Sequence, residues 1–162
     1  MRIMRVSFFG HREIRNIRVM ENRADKLVRD VIEKADFVEF FIGRNGDFDR
    51  IIASVIKRAQ KSVRDDNSAL ILTLPYETAE LRDNRESFEE YYNDITIYEG
   101  NGRIHPKAAI GARNRYMIDI SDLVIVYVKT EKGGAYSAMK YAEKQGKKVI
   151  NLYRVEELYN DT

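Results

Sequence analysis

The sequence predicts an α/β fold, in which an open and mostly parallel sheet of about six strands carries helices on both faces. Short apolar runs rich in β-branched and aromatic residues alternate with longer segments in which apolar residues recur every three or four positions. This alternation along the whole chain is typical of α/β proteins. No internal repeat, low-complexity linker or change of composition divides the sequence, so we expect a single domain over residues 1–162.

Six apolar runs have the length and the flanking turn residues of strands buried on both faces. In chain order they are Arg5–Gly10, Phe37–Gly43, Ala69–Leu74, Ile95–Tyr98, Leu123–Val128 and Lys148–Tyr153. Four helical patterns accompany them, at Glu13–Ala35, Phe48–Ser62, Lys107–Ile120 and Ala135–Gln145. Each places its apolar residues in one stripe, which suits a helix packed on a sheet. The acidic segment Tyr76–Asp94 is expected to add a surface helix beside the site.

Composition excludes several classes of protein. The chain has no cysteine, which excludes disulfides and thiolate sites, and its two histidines are too few for a histidine metal cluster. The N-terminus lacks the apolar core of a secretion signal, and no apolar run approaches the roughly 20 residues that span a bilayer. We expect a soluble cytoplasmic protein without metal, cofactor or membrane partner. The net charge of +2, with acids and bases interleaved, makes nucleic acid an unlikely partner.

The turn Gly10-His11-Arg12 follows the first predicted strand. Ligands of open α/β sheets bind beyond the carboxyl ends of the strands, near helix N-termini. Glycine allows a tight turn and close approach to a ligand, and His11 and Arg12 supply donors for an anionic group. An ordinary turn with solvated side chains explains these residues equally well.

The turn GRNGDFD (Gly43–Asp49) follows the second predicted strand. Gly46 can free backbone amides for a phosphate, and Asp47 is a plausible N-cap of the helix that begins near Phe48. The bland alternative is that Asp47 only caps the helix and Asp49 only complements its dipole.

Two further segments complete the predicted site. Arg113 and Met117 share one face of a helix, so Arg113 is either an anion clamp fixed over the sheet edge or a surface charge. The spacing alone does not decide between these. Gly133 and Gly134 lie between a strand and a helix whose apolar stripe consists of small residues. Small residues let this helix pack close to the sheet, so that its positive N-terminus points toward the carboxyl ends of the strands.

Four blocks, FGHRE, GRNGDFD, RNRYMIDISDLVIVY and KGGAYSAMKYAEKQGKKVINLY, occur here in the order in which one family carries them. They resemble the SLOG superfamily of Rossmann-like proteins and, more narrowly, its small bacterial and phage members with a T-G-H-R-P-like motif. The superfamily includes the lonely-guy phosphoribohydrolases, the YpsA-like proteins and the DNA-processing DprA proteins. The resemblance covers nearly the whole chain and implies a nucleotide or nucleotide-derivative site at the carboxyl edge of the sheet.

The resemblance and the turns together give eleven candidate ligand-binding residues. Glycines of the three turns match family glycines, and Arg113 and Met117 match the lonely-guy R-K-x-x-M pattern. Asn45 and Asn114 are added because their side-chain amides can hydrogen-bond to polar edges of the ligand. The candidates are Gly10, His11, Arg12, Gly43, Asn45, Gly46, Asp49, Arg113, Asn114, Gly133 and Gly134.

The chain departs from the lonely-guy pattern P-G-G-x-G-T-x-x-E at the residues that act on the substrate. Ala135 stands at the threonine position and Ala138 at the glutamate position, and Glu13 replaces the proline of the first turn. Breaking an N-glycosidic bond develops positive charge that a carboxylate stabilises and a methyl group does not. The resemblance therefore implies a phosphate cradle without its usual catalytic residue. Four carboxylates are alternatives that spacing does not separate: Asp47, Asp49, Asp119 and Glu131.

Three hypotheses follow. The first is a sensor, carrier or sequestering protein in which Arg12, Arg113 and the Gly133–Gly134 amides bind the anionic part of a nucleotide, with Tyr76 and Tyr136 available to stack on a base. The second is a nucleotide N-glycosidase or nucleoside-transferase-like enzyme with a relocated carboxylate. The third is DprA-like nucleic-acid binding, which the near-neutral charge disfavours. The long first helix also offers a face for a homo-oligomer.

Overall fold

The structure is a computed structural model that describes residues 1–98 and 105–153. Its strands are β1 (Ile3–Gly10), β2 (Phe37–Ile42), β3 (Ser68–Leu74), β4 (Asp94–Ile97), β5 (Leu123–Tyr127) and β6 (Lys148–Asn151). Its helices are α1 (Ile17–Lys34), α2 (Asp47–Ser62), α3 (Ala79–Asp83), α4 (Arg85–Tyr91), α5 (Pro106–Asp119) and α6 (Gly134–Lys144). The end of the predicted domain, residues 154–162, lies outside the described residues.

The six strands form one parallel sheet in the order β4-β3-β2-β1-β5-β6. This confirms the predicted α/β fold with an open sheet and helices on both faces. From β1 the chain builds outward on one side through β2, β3 and β4, and then returns to place β5 on the other side of β1. The turns after β1, β2 and β5 therefore meet where the direction of winding reverses, which is the usual ligand position in such sheets.

Two apolar layers cover the sheet. Successive residues of a strand point to opposite faces, and Phe8 accordingly packs with α1 and α2 whereas Phe9 packs with α5 and α6. Burial on both faces explains why the strands read as continuous apolar runs instead of alternating ones. The two layers hold the helix ends rigidly against the carboxyl edge of the sheet.

Several predicted boundaries differ from the structure, and β1, for example, begins at Ile3 instead of Arg5 while β6 ends at Asn151 instead of Tyr153. Helix α1 begins at Ile17 rather than Glu13, and β4 runs one residue earlier than predicted. The acidic segment forms two short helices instead of one. The Thr78 hydroxyl caps α3 by accepting a hydrogen bond from the Leu81 amide at 3.1 Å, and the non-helical backbone of Asn84 separates α3 from α4. None of the helices within the described ranges is long and apolar enough to cross a bilayer.

Candidate functional site

A cleft of about 80 Å³ opens at the carboxyl edge of the sheet. Ten of the eleven candidate residues line it, and the remaining one, Gly133, directly precedes the lining residue Gly134. The structure thus brings together turns that lie more than 100 residues apart in the sequence. Sequence reasoning missed Ile110, which lies one helical turn before Arg113 on α5 and could have been found from that spacing.

Arg113 is buried, with only 7 % of its surface exposed. Its Nη1 donates to the Thr73 carbonyl at 2.7 Å, and its Nε donates to Asn114 Oδ1 at 2.8 Å. Its third nitrogen, Nη2, makes no hydrogen bond to any residue that the structure describes. Burial lowers the pKa of Arg113, and the charge of Asp49 opposes this shift. Of the two alternatives for Arg113, the structure therefore shows the fixed guanidinium over the sheet edge.

Asp49 faces the same space as Arg113. Its Oδ2 accepts a hydrogen bond from the Asn45 amide at 3.0 Å. Burial of this carboxyl by the surrounding protein raises its pKa to about 6. The hydrogen bond from the Asn45 amide and the charge of Arg113 both oppose this shift. A carboxyl with a raised pKa in a cleft marks a candidate functional residue. Asp49 does more here than complement the dipole of α2.

Two of the glycines are required by packing. A Cβ on Gly10 would lie 2.1 Å from Cγ of Phe48, so Gly10 makes room for the side chain that anchors α2 on β1. Gly46 has a φ of 151°, and its Cβ would lie 2.6 Å from Cα of Arg12. We expect glycine at position 10 because it allows a ligand to approach. That explanation is incomplete, because the Phe48 side chain by itself already requires a glycine at this position.

Gly133 and Gly134 differ from those glycines. Gly133 has a φ of 91°, which favours glycine, but beyond the adjacent chain no atom of the described residues lies within 4 Å of a Cβ built on either residue. Gly134 thus has neither a conformational nor a packing reason to be glycine among the described residues. A missing side chain beside open space leaves room for a ligand to reach the backbone.

The N-terminus of α6 is uncapped. Its N-cap is Gly133, no side chain in the described ranges bonds to its first turn, and its first internal bond runs from the Ser137 amide to the Gly133 carbonyl at 3.1 Å. The amides of Gly134, Ala135 and Tyr136 make no hydrogen bond within the described residues. Free amides at the positive end of a helix form a ready anion site.

His11 and Arg12 hold the turns together. The Lys129 amide donates to His11 Nε2 at 2.8 Å, which ties the turn after β1 to the end of β5. Burial, and then the Lys129 charge, lower the pKa of His11. A neutral His11 acts here as an acceptor through Nε2, its other ring nitrogen carries the proton, and the expectation that His11 supplies a donor to an anion stays a prediction. Arg12 contributes a backbone carbonyl that accepts from the Asp47 amide at 2.8 Å, and its side chain is exposed beside the cleft.

The helix α2 does not use Asp47 as its N-cap, contrary to the prediction. Gly46 occupies that position and Asp47 is the first helical residue. The Asp47 carboxylate instead accepts from the Ile14 amide at 3.1 Å and from the Arg50 guanidinium at 3.2 Å. Asp47 therefore fixes the entry to α1 and lies outside the cleft.

Only Asp49, of the four alternative carboxylates named from the sequence, lines the cleft. Asp119 accepts from the Tyr141 hydroxyl at 2.7 Å, away from the site.

Tyr76 is 38 % exposed and close enough to Arg113 to affect the pKa of its guanidinium, whereas Tyr136 packs partly into the core. The described residues contain no group of His, Asp and Glu that could hold a metal ion.

No model of a protein family matches the chain, and no curated protein matches its sequence. Solved structures of DNA processing protein A are similar in shape. The protein from Helicobacter pylori, whose single-stranded DNA binding mode has been determined, matches with a TM-score of 0.65 and 19 % identity over 90 % of this chain and 63 % of that one. DNA processing protein A (DprA) from Streptococcus pneumoniae matches with a TM-score of 0.66 and 15 % identity over 91 % of this chain and 49 % of that one.

The chain therefore spans about half to two thirds of the length of these two proteins. At this level of identity the likeness shows the fold alone, and it agrees with the Rossmann-like architecture that the sequence blocks implied. Membership of the SLOG superfamily, and of its small T-G-H-R-P subgroup, stays a prediction.

Proposed function

We propose that the cleft binds a nucleotide or nucleotide-derived small molecule through its phosphate. One observation carries the proposal: the buried guanidinium of Arg113 lines the same cleft as the uncapped N-terminus of α6. Two hydrogen bonds fix the guanidinium, and Nη2 is left over for a ligand. An anion that contacts both the arginine and the helix amides binds more tightly than an anion that contacts one of them. Because the protein already holds both groups in place, little conformational entropy is lost on binding.

The size of the cleft supports binding of one end of such a ligand. Its volume of about 80 Å³ is smaller than the roughly 300 Å³ at which sites for whole drug-sized molecules begin. A phosphate and part of a sugar fit this space, and a base would extend toward solvent. Tyr76, exposed and next to Arg113, offers an aromatic surface there.

A binding role accounts for the residues better than catalysis. The position of the lonely-guy glutamate is Ala138, whose side chain is buried in the core beneath α6. An enzyme built on this cleft would have to use Asp49, the carboxylate that lines it. The enzyme hypothesis therefore predicts that free base is released from a bound nucleotide and that Asp49→Asn stops the release.

Single-stranded DNA binding is the second candidate function. The likeness to the Helicobacter pylori protein, which binds single-stranded DNA, favours it and weighs against our expectation that nucleic acid is an unlikely partner. A strand bound through several phosphates would lose affinity steeply as salt is added, whereas one nucleotide in the cleft would respond weakly. The salt dependence of binding thus separates the two candidates.

Thermal unfolding with a ligand panel tests the proposal. AMP, ADP-ribose, NAD and cyclic dinucleotides are added separately, and each mixture is then assayed for free base. A bound ligand raises the melting temperature by mass action. We expect a shift with intact ligand that Arg113→Ala abolishes and Arg115→Ala, an exposed arginine on the same helix, retains. No shift with any compound, or the same shift in both variants, would contradict the proposal.

A further inference from the structure

Asp49 places a carboxylate in a cleft whose other charged groups attract anions. Its Oδ2 accepts a single hydrogen bond, from the Asn45 amide, and its Oδ1 accepts none from the residues that the structure describes. An ionised carboxylate only accepts hydrogen bonds and repels a phosphate. The part of a ligand that lies against Asp49 is therefore a hydrogen-bond donor and not the phosphate itself.

The N-terminus of α6 and Asp49 enter the cleft from opposite sides of β1, and Arg113 faces Asp49. Gly134 follows β5 and Asp49 follows β2, and these strands flank β1 in the sheet. Arg113 lies near Asp49, because a Cβ built on Gly43 would be 3.0 Å from Arg113 Nη1 and 3.1 Å from Asp49 Oδ2. A ribose 5′-phosphate carries its phosphate at one end and its hydroxyl groups at the other, so it can contact both sides of the cleft.

We infer that the cleft selects ribose over 2′-deoxyribose and that Asp49 reads the sugar hydroxyls. This inference rests on the proposed function and names its ligand class as ribonucleotides. Dinucleotide-binding folds place an acidic residue against a ribose hydroxyl for the same reason, because a carboxylate accepts from a hydroxyl and rejects a phosphate. In this chain the acidic residue comes from the first turn of α2 and is held by the Asn45 amide.

Several charged or titratable groups surround Asp49. Arg113 faces it from α5, and Tyr92, whose hydroxyl accepts from Arg44 at 3.0 Å, lies close enough for its pKa to be affected by Asp49. His11 and Arg12 line the same cleft from the turn after β1. Arg113 favours the ionised, hydroxyl-accepting form of Asp49. The inference also opposes DNA as the ligand of this cleft, since the 2′-hydroxyl distinguishes RNA from DNA.

Equilibrium titrations with AMP, GMP, CMP and UMP and with their 2′-deoxy counterparts test the inference. For at least one base, we expect the ribonucleotide to bind about tenfold or more tighter than the deoxynucleotide, as for a hydrogen bond to a charged group. Asp49→Ala should bring the ratio to within about twofold. The isosteric Asp49→Asn should also lower the ratio of ribonucleotide to deoxynucleotide affinity. This second variant keeps the test possible if the alanine variant does not fold.

Asp47→Ala is the matched control, because it removes the same charge from the same turn of α2 at a position outside the cleft. We expect it to keep the ribose preference. Equal binding of ribose and deoxyribose nucleotides by the natural sequence, or a preference that survives both Asp49 variants, would overturn the inference and leave the proposed function standing. Absence of binding by all eight nucleotides would overturn the inference, and the wider panel with ADP-ribose, NAD and cyclic dinucleotides would then decide the proposed function.

Discussion

The guanidinium of Arg113 and the carboxylate of Asp49 converge on the space beside Gly43. A Cβ on Gly43 would lie 3.0 Å from Nη1 of Arg113 and 3.1 Å from Oδ2 of Asp49. The turn after β2 is thus shaped around two charged groups that come from different helices. A glycine at this position keeps both in the cleft without contact from a side chain.

Gly43→Ala should therefore disturb the site. Its methyl group meets two fixed atoms at distances tighter than ordinary packing, so Arg113 or Asp49 must move. We expect a lower melting temperature and loss of the ligand-induced shift, both measured by thermal unfolding. Gly111→Ala is the control, because its Cβ meets only the flexible end of Arg115 and alanine favours a helix interior by up to about 1 kcal/mol. Ligand binding unchanged in Gly43→Ala would contradict this account of the turn.

Gly134→Ala should separate binding from stability. Beyond the adjacent chain, the added methyl group meets no atom of the described residues within 4 Å, so the free energy of unfolding should stay the same or rise by roughly 0.5 kcal/mol. The same methyl group narrows the approach to the α6 amides, and we expect weaker nucleotide binding. Denaturant unfolding and a ligand titration measure the two effects.

Gly133→Ala gives the opposite control, since a φ of 91° strains any other residue and should cost on the order of 1 kcal/mol of stability. A Gly134→Ala protein that binds as tightly as the natural one would show that no ligand approaches there.

The stability of the protein should depend on pH through Asp49. Its pKa is raised to about 6 in the folded state, above its ordinary value of 3.8. The folded state therefore binds the proton more tightly, and the stability from this group is present below the unfolded pKa and is lost as pH rises through about 6. Asp49→Asn, which can still accept from the Asn45 amide, should be more stable than the natural sequence by about 1–2 kcal/mol at neutral pH.

Urea unfolding at a series of pH values from about 4 to 7 measures this difference. The difference in free energy of unfolding between Asp49→Asn and the natural sequence should become smaller as the pH approaches about 4. His11 titrates in part of this range, but it is present in both proteins and cancels in their comparison. A difference that does not change with pH would mean that the carboxyl of Asp49 is not shielded from water.

His11 should titrate below the ordinary histidine value of 6.5, because burial and the Lys129 charge both lower its pKa. The neutral ring accepts the Lys129 amide at 2.8 Å and joins two turns of the cleft. A lowered pKa means that this stabilisation is present above 6.5 and is lost as pH falls through the folded pKa. Titration of the His11 ring protons by NMR checks the value, and a pKa at or above 6.5 would contradict the acceptor role.

The sequence supported the fold and the place of the cleft because both depend on local patterns. Apolar runs specify buried strands, and the parallel sheet then brings the turns after β1, β2 and β5 to one edge. The roles of single residues depend on partners far away in the chain. Phe48 explains Gly10, the Arg12 backbone explains Gly46, and no local pattern contains either contact.

The same limit applies to charge and capping. Spacing put Arg113 beside Met117 on one helix face, but its burial depends on the Thr73 carbonyl of β3. Asp47 had the sequence position of an N-cap, yet its carboxylate is occupied by the Ile14 amide from another turn. Residues whose partners come from distant turns were thus given a wrong or an incomplete role by the sequence alone.

Backbone-amide NMR during a nucleotide titration tests the central claim most directly. The protein, of 19.0 kDa, is small enough for its amide signals to be followed one by one. If the cleft binds the phosphate of a ribonucleotide, the amides of Gly134 and Ala135 should shift most on adding AMP or GMP, together with the turn Gly43–Asp49. Arg113→Ala should abolish those shifts. Saturable shifts that fall elsewhere on the protein, or no shifts with any nucleotide, would contradict the claim.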